Sequence, residues 1–247
     1  MIGVYFQGRF GNQLFQYAFA LSTSKKLNTD FFMDQSRDRI IINKYFKLDN
    51  YHSLRSWFRS ISFGKRKQVI EVENSNTYSE NASLLNNTDC FYKGYFQSEF
   101  YFKDIYAELK NEFSIKSKHK IDVRKVLKIT NDKPLLVLHV RRTDYLKHGD
   151  KSMGGEDLSL PLNYYASCLS AVKDLENYNI VFVTDDEKFV KSNFSHLDPI
   201  VSSSKDLIVD FQILLNADVL VLANSSFSWW GAYLNSKCEK YMLRNTG

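Results

Sequence analysis

Residues 135–145 read Leu-Leu-Val-Leu-His-Val-Arg-Arg-Thr-Asp-Tyr, an apolar run that becomes polar within a few positions. Apart from His139, the residues from Leu135 to Val140 are aliphatic, which is typical of a strand buried on both faces of a parallel sheet. Ligands of open α/β sheets bind beyond the carboxyl ends of the strands. Arg141 and Arg142 follow this strand directly, so the sequence predicts an anion-binding site at its end.

Strands and helices alternate after this segment, an order typical of a parallel sheet with crossover helices. Further strands are predicted at 180–183 and 219–223, and helices at 163–175, 187–194 and 206–216. The two strands end in the polar clusters Asp185-Asp186 and Asn224–Ser228. Because the carboxyl ends of parallel strands meet at one edge of a sheet, we expect these clusters to converge on the arginines.

The first half of the chain opens with a strand, a glycine loop, a helix and a second strand, a βαβ unit. The loop is predicted to span Gly8–Gln13, and its Gly-x-x-Gly spacing differs from the dinucleotide fingerprint. These glycines either form a tight turn or let backbone N–H groups and Asn12 approach a phosphate or sugar. We place the boundary between two α/β lobes after residue 125, giving lobes 1–125 and 126–247.

Composition restricts the class of protein. The chain has 247 residues, 44% of them hydrophobic, which is enough for one large or two small cores. The formal net charge of +5 fits an anionic ligand, a membrane surface or nucleic acid. Basic and aromatic residues alternate between residues 34 and 89, but acidic residues are mixed in and no nucleic-acid module motif occurs, so nucleic acid is not an expected partner.

The expected compartment is the cytoplasm. The three cysteines are far apart and lack Cys-x-x-Cys spacing, which argues against a disulfide framework or a zinc site. The N-terminus lacks the pattern of a signal peptide, and no apolar run approaches the ~20 residues of a membrane-spanning helix.

The two arginines are the first candidates for chemistry. Consecutive residues of an extended segment point to opposite sides, so one arginine can face a ligand while the other braces the site. Arginine suits bidentate contact with phosphate, although Arg141 and Arg142 could instead form structural pairs with Asp144 and another carboxylate. No Asp-x-Asp triplet occurs, so we expect no metal, and charge on a diphosphate must be met by arginine and backbone dipoles.

Other polar residues near the strand ends could bind a ligand or have a structural role. Asp185-Asp186 could bind a ligand or cap the following helix. Asp210 lies on an apolar helix face and needs a partner, either a guanine ring with its N–H donors or a structural cation. Ser225 and Ser226 fit an anion-binding helix N-terminus, whereas a hydrolytic serine is not expected because no Gly-x-Ser-x-Gly motif is present.

These segments together resemble the bacterial α-1,2-fucosyltransferases of glycosyltransferase family 11. The matching segments, which follow the order of the family, are Gly8–Ala18, Gly94–Glu99, His139–Tyr145, Asp185-Asp186 and Asn224–Ala232. The resemblance implies a GT-B type fold, with two Rossmann-like lobes and a catalytic cleft between them. It also implies metal-independent, inverting transfer of L-fucose from GDP-fucose to the 2-hydroxyl of a terminal galactose on a glycan.

The resemblance also implies roles for individual residues. Arg141 would bind the β-phosphate, and Asp144, as base or brace, would be the second catalytic residue. The residues implied to bind the donor are Gly11, Asn12, His139, Arg142, Asp185, Asp210, Ser225, Ser226 and Phe227. The N-terminal lobe would select the acceptor, and peripheral association with the inner membrane would fit a role in lipopolysaccharide synthesis.

Two features depart from the family. The chain stops soon after its last strand, where family members continue. One alternative expectation is therefore a truncated, inactive sugar-nucleotide binding protein. Another is a fucosyl- or other GDP-sugar transferase that forms a different linkage. The loop 146–160 does not align, and it contains other candidate bases, which are His148, Asp150, Glu156 and Asp157.

Overall fold

Two all-parallel sheets organise the described part of the chain in this computed structural model. The structure describes residues 1–49, 68–72, 85–147, 149, 155, 157–202 and 204–241. Within these ranges the chain divides into two compact units, 1–119 and 120–247. Residues 120–125, assigned above to the first lobe, therefore belong to the second unit, because Ile121 and Val123 pack into its hydrophobic core.

The first unit contains a four-stranded sheet. Its strands are β1 (Ile2–Tyr5), β2 (Phe31–Asp34), β3 (Gln68–Glu71) and β4 (Cys90–Lys93). They lie in the order β2-β1-β4-β3, and every pairing is parallel. The α-helices among the described residues of this unit are α1 (Phe10–Lys26), α2 (Ile42–Tyr45) and α3 (Tyr106–Glu112).

The second unit contains a five-stranded sheet. Its strands are β5 (Leu135–Val140), β6 (Asn179–Thr184), β7 (Ile200–Ser202), β8 (Val219–Val221) and β9 (Glu239–Tyr241). The order β7-β6-β5-β8-β9 is that of a Rossmann-like sheet, again fully parallel. Its α-helices, within the described ranges, are α4 (Val123–Val126), α5 (Leu162–Ala171), α6 (Glu187–Phe194), α7 (Leu207–Leu215) and α8 (Ser226–Leu234).

Strand β5 lies at the centre of the second sheet, which explains its apolar sequence. All of its residues are buried. Leu136, Leu138 and Val140 pack into the core on one face, and Leu135 and Val137 into the core on the other. The prediction of a strand buried on both faces is confirmed.

Helix α1 begins earlier than predicted. It starts at Phe10, so Gly11, Asn12 and Gln13 belong to its first turn rather than to a loop. The turn into the helix is made at Gly8, whose φ of +75° favours glycine. Gln13 stabilises this turn, since its Nε2 donates to the carbonyl of Gly8 (3.3 Å) and its Oε1 accepts the N–H of Ile41 (2.9 Å).

Two other predictions need correction or lie outside the described residues. Phe102, Ile105, Tyr106 and Leu109 recur at helical spacing and predict a helix from Glu99 to about Phe113. This helix is broken, because 3₁₀ turns at Glu99–Tyr101 and Lys103–Ile105 precede α3. Much of the basic aromatic segment, and the candidate bases His148, Asp150 and Glu156, lie outside the described residues. Within the described ranges, no helix is both long and apolar enough to cross a membrane.

Candidate functional site

The candidate site lies where the strand order of the second sheet reverses. From β5 the chain runs outward through β6 and β7, then returns to β8 on the other side of β5. Such a switch point, at the carboxyl ends of the strands, is where open α/β sheets bind ligands. The segment after β5 reaches the segment after β8, because the hydroxyl of Tyr145 donates to the carbonyl of Asn224 (3.4 Å).

Arg141 is held between two carboxylates. Its Nη2 lies 2.6 Å from Oδ1 of Asp144, and its Nη1 lies 3.1 Å from Oδ2 of Asp185. The ring of Tyr145 lies 5.7 Å from the guanidinium carbon. The Arg141 side chain is 25% exposed, so a permanent cation is presented at the strand end in a fixed orientation.

Asp185 joins three groups of the segment after β5. Its Oδ1 accepts the backbone N–H of Arg142 (2.9 Å), and its Oδ2 accepts the hydroxyl of Thr143 (2.6 Å) as well as the ion pair to Arg141. Burial acts to raise the pKa of Asp185, but these hydrogen bonds and the arginine charge outweigh it and lower the pKa below its ordinary value. Both carboxylate oxygens are therefore engaged by the protein, which indicates an organising role for Asp185.

The second arginine, Arg142, contacts Asp186 and Phe189. Oδ1 of Asp186 accepts the N–H of Phe189 (3.0 Å) and so caps α6, as one reading of the aspartate pair predicted. The Nε of Arg142 lies 3.4 Å from Oδ2 of Asp186, and its guanidinium carbon lies 3.9 Å from the centre of the Phe189 ring. No spacing in the sequence marks Thr143 or Phe189 as part of this site.

His139 is buried beneath this edge, with 5% of its surface exposed. Its Nδ1 has no hydrogen-bond partner among the described residues. Burial, with a smaller contribution from the charge of Arg141, lowers the pKa of His139 to about 4. The imidazole is therefore neutral at pH 7 and offers one donor and one acceptor nitrogen.

The segment after β8 forms the start of α8. The hydroxyl oxygen of Ser225 accepts the N–H of Phe227 (3.3 Å) and caps the helix. Ser226 is the first helical residue and is partly exposed. The Phe227 ring lies 5.7 Å from the ring of His139 and 5.4 Å from that of Phe211, measured between centroids. Ser225, Phe227 and His139 thus share one side of the switch point.

Asp210 lies in the first turn of α7 and is partly buried. The hydroxyl of Ser202 donates to its Oδ1 (2.7 Å). Burial raises the pKa of Asp210 to about 6 despite this hydrogen bond. No cation pairs with Asp210 among the described residues, so the alternative of a structural ion pair has no support there.

The remaining predicted residues belong to the first unit. Gly11 and Asn12 occupy the first turn of α1, after the carboxyl end of β1. Oδ1 of Asn12 accepts a hydrogen bond from Nε2 of Gln97 (2.9 Å), which sets the orientation of the amide. No role had been predicted for Gln97. The predicted contact of Gly11 and Asn12 with a donor stays a prediction.

The described acidic residues outside this site form no metal-binding cluster. In the described part of the chain, no group of three or more His, Cys, Asp or Glu side chains could hold a metal ion. Asp157, one of the candidate bases, is occupied by its own turn, because its Oδ1 accepts the N–H (2.8 Å) and hydroxyl (2.6 Å) of Ser159. The hydrogen bonds from Ser159 lower the pKa of Asp157.

The second sheet has a Rossmann-like strand order, and Arg141 and Arg142 follow its central strand at the switch point. The family model for Glycosyl transferase family 11 matches residues 1–246. The chain therefore belongs to glycosyltransferase family 11 and is a glycosyltransferase.

Two relatives from Escherichia coli carry more specific names. The chain is 26% identical over 258 aligned positions to an alpha-1,2-colitosyltransferase, covering 93% of this chain and 86% of that protein. It is 29% identical over 113 residues to the O-antigen biosynthesis glycosyltransferase WbnK, covering 43% of this chain and 36% of that protein. The second match thus spans about a third of that relative.

Solved structures share the fold. POFUT1 in complex with GDP-fucose superposes with a TM-score of 0.57 at 11% identity, covering 96% of each chain. The fucosyltransferase NodZ from Bradyrhizobium gives a TM-score of 0.57 at 12% identity, covering 96% of this chain and 92% of that chain. The predicted GT-B type fold of two parallel-sheet α/β lobes is confirmed.

Proposed function

We propose that this protein transfers L-fucose from GDP-fucose to the 2-hydroxyl of a terminal galactose on a glycan, with inversion and without a metal. The observation that carries the proposal is the placement of Arg141 at the switch point of a Rossmann-like sheet, in a segment whose Tyr145 is bonded to Asn224 just before the capped start of α8. Family 11 membership over residues 1–246 makes a sugar nucleotide the anion that this site would meet.

The donor contacts follow from the chemistry of each group. Arg141 stabilises negative charge that develops on the leaving diphosphate as the bond to the anomeric carbon breaks. The start of α8 offers N–H groups and a favourable dipole to phosphate or ribose oxygens. Asp210 accepts from the N1–H and exocyclic amine of guanine, and neutral His139 makes a further contact to the guanosine.

The acceptor reaction needs a nucleophile and a proton acceptor. The galactose 2-hydroxyl attacks the anomeric carbon on the face opposite GDP, which inverts its configuration. Its proton passes to a carboxylate, for which Asp144 was our candidate. Because Oδ1 of Asp144 lies 2.6 Å from Arg141, we favour the bracing role for Asp144.

The assignment of Asp144 can be tested by substitution. We expect Asp144→Asn, which can still accept a hydrogen bond from Arg141, to retain measurable turnover, with kcat reduced about tenfold. We expect Asp144→Ala to lose more activity and to weaken GDP binding, because Arg141 is released. If Asp144 is instead the general base, Asn and Ala should reduce kcat equally, by about 10²–10⁴-fold, while GDP affinity remains unchanged.

Donor binding should depend on pH through Asp210. As pH falls through about 6, Asp210 becomes protonated and accepts guanine donors poorly. We therefore expect GDP-fucose affinity to be about tenfold weaker at pH 5 than at pH 8. His139, whose pKa is about 4, does not titrate in this window. GDP-fucose is the suitable probe for calorimetry, since GDP itself has a phosphate that titrates near pH 6.

The variant Asp210→Asn provides the control. It should bind GDP-fucose weakly at every pH, with a flat profile. Asp210→Asn should also be more stable than the parent protein at pH 8. The raised folded-state pKa of Asp210 means that its protonated carboxyl contributes stability below about pH 4, and this contribution is lost as pH rises through 6. A profile with the same slope in both proteins would contradict the assignment.

The experiment for the function is product analysis. The purified protein is offered GDP-fucose with a panel of galactose-terminated glycans, with and without EDTA, and the linkage of the product is determined by NMR. We expect an α-1,2-linked fucosyl product in both conditions. Binding of GDP without transfer to any acceptor would favour an inactive sugar-nucleotide binding protein, and activity lost on chelation would refute metal independence.

A second candidate donor is an activated form of colitose, which is fucose without its 3-hydroxyl. The support is the match to an alpha-1,2-colitosyltransferase over 93% of this chain. A site that hydrogen-bonds the 3-hydroxyl discriminates strongly against the deoxy sugar, whereas an apolar site discriminates weakly. Competition between the GDP-activated forms of both sugars for one acceptor would separate the candidates. The match to one O-antigen biosynthesis glycosyltransferase makes lipopolysaccharide glycans the first acceptors to test.

A further inference from the structure

The two adjacent arginines are held in different ways. Both terminal nitrogens of Arg141 lie against carboxylates, those of Asp144 and Asp185. Arg142 uses only its Nε for an ion pair, to Asp186, and its terminal nitrogens have no hydrogen bond or ion pair to the described residues. What contacts the rest of the Arg142 guanidinium is the flat face of Phe189, at 3.9 Å.

Phe189 is itself fixed by the core of the second unit. It lies in the first turn of α6, where its N–H is bonded to the capping carboxylate of Asp186. Its ring packs against the cluster that contains Phe194, with the two ring centroids 6.3 Å apart. A guanidinium over an aromatic ring in a partly buried position, such as Arg142 with 21% of its side chain exposed, is held more tightly than at the open surface.

The segment that carries Arg141 has little regular structure of its own. Residues 141 and 142 belong to no helix or strand, and 143 and 144 form a turn. Its position therefore depends on anchors, of which two are polar contacts to Asp185 and one is the hydrogen bond from Leu146 N–H to the Arg142 carbonyl (2.9 Å). The Phe189 ring supplies an apolar anchor, on the side of the segment that faces α6.

We propose that Phe189 is a positioning residue of the donor site, which holds Arg142 through its ring face and thereby keeps Arg141 aligned with the leaving diphosphate. This inference rests on the proposed function. It requires an aromatic ring at position 189 and predicts that Phe189 and Arg142 act as one unit. A role in packing alone would require only an apolar side chain of similar volume.

The test compares substitutions at Phe189 and at a second phenylalanine of the same hydrophobic core. We expect Phe189→Leu to lower kcat with GDP-fucose about tenfold, with little change in the KM for the acceptor. Phe189→Trp, which offers a stronger face to a cation, should recover most of that loss. The matched control is Phe182→Leu in β6, which removes a fully buried ring from the same core, where it lies 4.8 Å from the ring of Phe194.

A double-mutant cycle measures the coupling between Phe189 and Arg142, which a role in packing alone would not produce. If Phe189 acts through Arg142, the variant Arg142→Met combined with Phe189→Leu should be no slower than Arg142→Met alone. Additive losses, full activity of Phe189→Leu, or an equal loss in Phe182→Leu would overturn the proposal. If the parent protein transfers no fucose, the proposed function fails, and the same cycle measured by calorimetric GDP binding still tests the coupling.

Discussion

Replacing Arg141 with alanine is expected to reduce transfer from GDP-fucose by about a thousandfold or more. The change removes the cation that meets charge on the leaving diphosphate, and it also leaves the carboxylates of Asp144 and Asp185 without their shared partner. Two negative groups would then face the diphosphate, so GDP affinity should fall as well. Steady-state kinetics and calorimetry with GDP would measure the two effects.

Controls separate the charge of Arg141 from its geometry. Arg141→Lys keeps the charge but cannot reach both carboxylates as a planar fork, so we expect it to recover only a small part of the lost activity. Lys188→Ala, which removes an exposed cation from α6 in the same unit, should behave like the parent protein. Turnover of Arg141→Ala within tenfold of the parent would exclude Arg141 as the main stabiliser of the leaving group.

Replacing Asp185 with alanine is the second change from which we expect a large effect. The substitution leaves the N–H of Arg142, the hydroxyl of Thr143 and one side of Arg141 without their acceptor. We expect transfer to fall by about a hundredfold or more and the free energy of unfolding to fall by about 2–4 kcal/mol. Denaturant unfolding and initial rates would measure these changes.

The loss of stability in Asp185→Ala should be largest near neutral pH and smaller in acid. The folded-state pKa of Asp185 is lowered, so its stabilising contribution is present above the ordinary carboxyl pKa and is lost as pH falls through the folded value. The gap between the parent protein and Asp185→Ala should therefore narrow below pH 4. Asp132→Ala, an exposed aspartate of the same unit, is the matched control. A variant Asp185→Ala with parental stability and activity would show that the three contacts are incidental.

A finer substitution isolates one of these contacts. Thr143→Val removes only the hydroxyl that donates to Asp185 and preserves the shape of the side chain. Its effect on turnover should be small, and it should be absorbed entirely in the Asp185→Ala background. This comparison distinguishes a carboxylate that organises the segment from one that contacts the donor directly.

Much of the fold follows from local patterns in the sequence. The aliphatic run of β5 predicts a doubly buried strand because a central parallel strand has no solvent-facing side. The bounds of α6 and α7 agree with prediction within a residue or so, since Asp186 and Asp206 are visible as capping residues before apolar periodic segments. The early start of α1 was missed because Gln13 makes its stabilising contacts with residues distant in the sequence, at Arg39 and Ile41.

The candidate site was likewise predictable from the sequence only in part. Sequence alone determined that His139 lies near the end of a strand of a parallel sheet, and that two arginines and a serine-rich helix start follow strands of that sheet, because the order of apolar and polar residues along each strand is local information. Only the tertiary structure decided their partners. The β5–β6 register sets Val140 opposite Thr184, which brings Asp185 to the N–H of Arg142, and the direction of α6 sets Phe189 under one arginine. Register and helix direction depend on packing between distant segments, and no local pattern records them.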